Sequence, residues 1–199
     1  PRQQGWFNLG THFPWLGMRT ADLGLAHVEY LRGIRNPVGV KVGPACVPAE
    51  LKRIIGALNP EREPGRLVLI HRLGATRIEA ALPPLIRAAR DSGCPVLWVC
   101  DPMHGNTERT DSGIKTRRFR NVMAETELAI EIHRGNDSHL GGVHLELTGE
   151  NVTECTGGAR DLGEKDLERA YKSTVDPRLN YEQAMELAML IVRRAGLVG

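Results

Sequence analysis

Five polar side chains recur along this chain at a nearly even interval: Lys41, Arg72, His104, Glu146 and Asp176, with gaps of 31, 32, 42 and 30 residues. They fall into two chemical groups. Lys41 and Arg72, joined by Arg19, are cations. Guanidinium forks match phosphate and carboxylate oxygens in pairs, and lysine adds a compact charge, so three such groups at one site suit a small, multiply anionic molecule. His104, Glu146 and Asp176 combine one imidazole with two carboxylates. That donor set suits Mn²⁺, Fe²⁺, Co²⁺ or Zn²⁺, whereas Mg²⁺ prefers oxygen alone. An ion held there could polarise a carbonyl. Singly, each residue would pass for a solvated or ion-paired side chain. Recurrence at one interval is what selects them.

The interval has a structural meaning. Short apolar runs bounded by Gly or Pro read as buried strands at Val38–Val42, Leu67–His71, Val96–Cys100 and Gly142–Leu147. Amphipathic stretches read as helices at Ala21–Leu31, Pro48–Leu58, Arg77–Asp91, Phe119–His133, Lys165–Tyr171 and Tyr181–Ala195. Asn180 is placed to cap the last helix, with Gln183 as its reciprocal partner. One strand-plus-helix unit takes about 30 residues. The charged groups therefore stand once per unit, at or just past a strand end, where a core strand has no structural reason to bury a charge. In a βα barrel those ends converge on one mouth. An open doubly wound sheet would instead line a crevice with the same residues. No GxGxxG fingerprint is present, and GVKVGP (39–44) lacks P-loop spacing. Gly105–Arg118 is polar and reads as a long surface loop after a strand.

Composition narrows the class. The 199 residues suffice for one core and read as a single domain, 1–199. They are few for a (β/α)8 barrel, which typically needs about 250. The net charge is +2 with no block of Lys or Arg, so no nucleic-acid face is expected. No apolar run reaches the roughly 18 residues of a membrane span, and no leader is visible, which points to the cytoplasm. The four cysteines lack CxxC spacing and are expected to be reduced thiols. His144 lies two residues before Glu146, on the same strand face, and could be a further ligand or a neighbour of one.

Several segments then carry a resemblance: NPVGVKVGP (36–44), CDPMHGNT (100–107), GIKTR (113–117), GGVHLELTGENVTEC (141–155) and DPRLN (176–180). In this order they resemble the class II 3-deoxy-heptulosonate-phosphate (DAHP) synthases, from about Trp15 to Gly199. The resemblance implies an α/β fold, a (β/α)8 TIM-type barrel, of which this chain holds about the last six units. It implies a metal-dependent condensation of phosphoenolpyruvate with erythrose 4-phosphate, giving DAHP and phosphate, as in aromatic amino acid biosynthesis or a related secondary pathway. In that chemistry C3 of phosphoenolpyruvate attacks the aldehyde, water adds at C2, and phosphate leaves. His104, Glu146 and Asp176 match metal ligands; Arg19, Lys41 and Arg72 match the groups that hold phosphoenolpyruvate, with Lys41, Arg72 and His104 closest to the chemistry. The implied ion is Mn²⁺ or Co²⁺, with Zn²⁺, Fe²⁺ or Cd²⁺ as others the site could take, and the complete protein is expected to be a homo-oligomer.

Two features depart from that pattern. The family's fourth ligand, a cysteine, and a Lys-Pro-Arg segment for the aldose phosphate lie upstream of the residues matched here, so the chain is expected to be an incomplete domain. Met18 stands where the family usually has an acidic residue before Arg19. The alternative to an active synthase is therefore an impaired homologue or fragment with a binding or regulatory role. A different metal-dependent aldolase on the same barrel is a third possibility.

Overall fold

A computed structural model describes residues 5–194 and Gly196 of the chain. Five parallel strands form the main sheet: β1 (Trp15–Leu16), β2 (Val38–Val42), β3 (Leu67–His71), β4 (Leu97–Cys100) and β7 (Leu140–Val143). Their order in space is their order along the chain, β1-β2-β3-β4-β7. A doubly wound sheet reverses its order at a switch point; this one does not, so the barrel-like arrangement is the one found. The intervening helices are α1 (Ala26–Gly33), α2 (Pro48–Leu58), α3 (Ile78–Asp91), α4 (Phe119–Gly135) and α5 (Tyr181–Arg194).

Side-chain alternation divides each strand between two environments. Val38, Val40 and Val42 of β2, Leu67 and Leu69 of β3, and Trp98 and Cys100 of β4 pack outward with Leu51, Ile54 and Ile55 of α2 and Ile78, Leu82 and Leu85 of α3. The intervening positions turn to the inner face, where Phe13, Ile70 and Trp15 press so close to Gly39 that a Cβ would lie 2.9–3.0 Å from them. Burying both faces explains why β2 and β3 read as mainly apolar runs, broken only by Lys41 and His71.

Some elements differ from the expectation. The stretch Gly105–Arg118 is not a plain loop: β5 (Thr107–Arg109) and β6 (Lys115–Arg117) pair antiparallel across it, with Gly113 at φ 86° in the turn. The first helix begins at Ala26, not Ala21, because Asp22 accepts the Gly24 N–H at 2.9 Å and holds a local turn instead. Lys165–Tyr171 is a short 3-10 segment, Glu164–Arg169, started by Asp166 accepting the Gly163 N–H at 2.8 Å. The last strand ends at Val143. Beyond it, Leu147 and Leu179 form an isolated parallel bridge where a sixth strand would stand. Ala195, the expected end of α5, lies outside the described residues.

Candidate active site

The inner face gathers charge at one end of the sheet. Beyond their last paired residues, β3 and β4 continue the ladder by one step: the Arg72 N–H donates to Val42 O and the Asp101 N–H to His71 O, each at 2.8 Å. Lys41, Arg72 and Asp101 thus rise inward on three adjacent strands. Lys41 and Asp101 are both buried and form a direct ion pair. Leu179 N–H donates to Glu146 O at 2.9 Å, and the Thr148 N–H to Leu179 O at 2.9 Å. These bonds bring the Asp176 loop against the Glu146 segment.

His104 stands at the centre, on the 3-10 turn His104–Asn106 that follows β4. Its Nδ1 faces Asp101, at 2.8 Å from Oδ2 and 3.0 Å from Oδ1. Asp101 also accepts the backbone N–H groups of Met103 and His104 at 3.1 Å each. That leaves Nε2 directed at the two other candidate ligands, 3.1 Å from Glu146 Oε1 and 3.9 Å from Asp176 Oδ2. One donor atom from each of His104, Glu146 and Asp176 falls within 4.8 Å of the others. Hydrogen bonds to Asp101 and Glu146 raise the His104 pKa to about 9 against the opposing effect of burial. Burial works against the charge on Asp101 and Glu146 too. His104 with Lys41 overcomes it for Asp101, and His104 with Arg117 for Glu146, so both carboxylates stay below their ordinary range.

These three residues fit a divalent ion. The donor set is the borderline one such ions favour, and a carboxylate behind the histidine fixes its ring and tautomer, as behind most metal-bound imidazoles. Arg117 Nη1 pairs with Glu146 Oε2 at 2.7 Å, which leaves Oε1 as the oxygen turned toward His104 Nε2.

Arg19, Lys41 and Arg72 line the same cleft, of about 550 Å³, with Trp15, Met18, Lys115, His104 and Asp176. Arg72 donates from Nη2 to His104 O at 2.6 Å, while its buried Nε lacks a partner. A buried unpaired guanidinium donor beside a cationic cleft is what an anionic ligand would complete. Arg19 is exposed on the short turn Met18–Thr20. Met18 beside it lies against Gly43, where any side chain would collide with its sulfur.

Sequence reasoning missed three charged members of this cluster. Asp101 was one step past a strand end and paired across 60 residues with Lys41. Lys115 pairs with Asp176, and Arg117, fully buried, reaches Glu146, Thr107 Oγ1 (3.0 Å) and Pro177 O. The signal for the last two was the alternation Lys115-Thr116-Arg117, which puts both on one face of β6. His144 lies near the site, its ring 6.4 Å from that of His104, and burial and Lys41 lower its pKa.

A second set of donors, His71, Cys100 and Glu125, also falls within 4.8 Å, on the outer face of the sheet. It is closed off: all three are fully buried. Burial raises the Cys100 thiol well above its ordinary pKa, and Glu125 already accepts three hydrogen bonds. The first set is therefore the candidate metal site.

Comparison with known proteins agrees with the motif reading. The chain is 48% identical over 193 residues to the phospho-2-dehydro-3-deoxyheptonate aldolase of Neurospora crassa, covering 96% of this chain and 40% of that one. It is 45% identical over 185 residues to the enzyme of the same name from Streptomyces coelicolor, covering 93% and 41%. The chain thus spans about 40% of the length of the curated relatives it matches. A solved structure of the Francisella tularensis phospho-2-dehydro-3-deoxyheptonate aldolase superposes with a TM-score of 0.54 at 17% identity, over 94% of this chain and 55% of that one, and bears on the fold alone. The model of the class-II DAHP synthetase family matches residues 1–192, and the chain belongs to that family.

Proposed function

We propose that this chain supplies the phosphoenolpyruvate- and metal-holding part of a DAHP synthase, which condenses phosphoenolpyruvate with erythrose 4-phosphate. The observation that carries this reading is the convergence of His104, Glu146 and Asp176 beside the Arg72 donor that lacks a partner. In this reading His104, Glu146 and Asp176 hold a divalent ion, Mn²⁺ or Co²⁺ by preference. When bound, the ion supplies Lewis-acid polarisation of the aldehyde carbonyl. Asp101 keeps the His104 ring turned toward the ion. Arg19, Lys41 and Arg72 hold the phosphate and carboxylate of phosphoenolpyruvate, and their charge offsets the anionic groups as the two substrates are brought to reacting distance. Lys115 pairs with Asp176 and orients it, and Arg117 keeps Glu146 ionised and oriented. No helix among the described residues is long and apolar enough to cross a membrane; the reading places the protein in the cytoplasm, as a homo-oligomer.

Phosphate release from the two substrates tests this, using the complete reading frame and the chain alone, with Mn²⁺ or Co²⁺ added. Activity abolished by His104→Ala is the expected result. An unaffected His104→Ala enzyme would remove the metal assignment, and no release with any ion would remove the synthase reading. Met18 favours a second reading. A thioether in the cleft cannot place water as a carboxylate would, so an impaired homologue that binds phosphoenolpyruvate without turnover would also fit.

A further inference from the structure

Glu125 is not explained by the chemistry above. It sits on α4, on the far side of the sheet from the cleft, and is fully buried. A buried carboxylate on a core-facing helix costs desolvation that an apolar residue would avoid. Its partners show where the compensation lies. Oε1 accepts the N–H of Leu73 at 2.8 Å and of Gly74 at 3.0 Å. Both belong to the loop that begins with Arg72. Oε2 accepts the Asn106 amide Nδ2 at 2.6 Å, and Asn106 belongs to the turn that begins with His104.

The same two segments meet elsewhere. Asn106 Oδ1 accepts the Ala75 N–H at 3.0 Å, and Asn106 Nδ2 also donates to Pro102 O at 2.8 Å. Arg72 Nη2 donates to His104 O. Gly74, at φ +84°, and Gly105 touch through their backbones: a Cβ on Gly74 would lie 2.8 Å from Gly105 O, and one on Gly105 would strike the Gly74 nitrogen. The loops are thus pressed together at a contact that excludes side chains, with one carboxylate bridging them from behind.

We propose that Glu125 is a positioning residue, whose carboxylate ties the Arg72 loop to the His104 turn and so sets the spacing between the anion-holding and metal-holding halves of the cleft. The part of this that concerns ligands rests on the function proposed above; the tie between the loops does not. A Glu125→Gln change keeps an acceptor for Leu73 and Gly74 but turns a second NH₂ toward Asn106, so it releases the His104 turn without emptying the core. Adding Asn106→Asp to that variant places an acceptor opposite the new NH₂ and restores the match with residue 125, at the loss of the bond to Pro102 O.

The experiment compares the wild-type chain, Glu125→Gln, and Glu125→Gln with Asn106→Asp, at a temperature where circular dichroism shows all three folded. Two readouts are taken. One is amide hydrogen exchange of segments 72–75 and 104–106. The other is Co²⁺ titration followed by the visible absorption of the bound ion. For Glu125→Gln the expected result is faster exchange confined to those segments. Co²⁺ affinity should fall by about 10- to 100-fold, the usual effect of losing an outer support, with a shifted Co²⁺ spectrum. The double variant should recover part of both, short of wild type because the bond to Pro102 O is gone. Unchanged exchange in both segments would overturn the proposal. So would loss of protection spread through α4 and the sheet, which would make Glu125 a core residue only. If no version binds Co²⁺ while exchange rises as expected, the metal assignment falls and the tie between the loops stands.

Discussion

The two faces of β3 and β4 carry the same kinds of side chain and put them to opposite use. On the inner face, Asp101 and Glu146 raise the His104 pKa to about 9, and every carboxylate nearby has a cation beside it. On the outer face, burial first and then neighbouring His133 lower the His71 pKa to about 3. Burial likewise raises Glu125 to about 7, more than its hydrogen bonds pull it down. His71 and Cys100 are register partners, and each is followed in sequence by an inner-face residue, Arg72 or Asp101. A single step along a strand therefore decides whether a titratable group meets a charged cleft or an apolar layer. Residue type alone predicts neither protonation state nor role.

The sharpest break in this contrast would come from removing a charge on the inner face. Lys41→Met leaves Asp101 buried with His104 as its one remaining cation. We expect a loss of about 1.5–3 kcal/mol in unfolding free energy, read by urea denaturation, whereas the outer-face change Cys100→Ala should cost less. A loss under about 1 kcal/mol would mean that the pair does not stabilise the inner face. Next in size is Asp101→Asn. It keeps the shape but lets the His104 ring choose its tautomer, so Mn²⁺ or Co²⁺ affinity should fall by about 10- to 100-fold, measured by calorimetric titration. Unchanged affinity would detach Asp101 from the metal site.

The smallest effect belongs to the outer face and is read from pH. His71 and His133 have folded pKa values lowered to about 3 and about 4, so both stay neutral when folded but take up protons when unfolded below about 6.5. The unfolded state then binds more protons, so their contribution is full above pH 6.5 and is lost as pH falls through that value toward 4. Glu125 has the opposite sign: with its pKa raised to about 7, its penalty fades as pH falls from 7 toward 4.5 and offsets one histidine. Between pH 7 and pH 5, His71→Leu should remove about 2 kcal/mol of the acid-induced loss, equal to about 4–8 °C of melting temperature for a chain of this size. A pH profile identical to wild type would mean that His71 is not held neutral by the fold.

Legibility followed the same division. β2 and β3 came out at their expected bounds because each is a mainly apolar run buried on both faces, and α2 did so because its helical periodicity is strong and Pro48 marks its start. The hairpin β5–β6 was missed because its strands are three residues each and polar, so no periodicity separates them from a loop. The start of α1 was misplaced because one Asp22 hydrogen bond outcompeted a helical pattern. In the site, the residues set by spacing were visible, while their supports were not: Asp101, Arg117 and Glu125 each also bond a partner 19 to 60 residues away, namely Lys41, Pro177 and Asn106.

The sequence by itself determined the alternation of strands and helices, the family, and the interval that brings Lys41, Arg72, His104, Glu146 and Asp176 to one end of the sheet. These depend on local periodicity and on motif order, both written along the chain. Only the tertiary structure decided which face each titratable group occupies, which cation answers which carboxylate, and that the Arg72 and His104 segments are bridged from behind by Glu125. Such pairings depend on register between distant strands and on burial, and neither has a local signature.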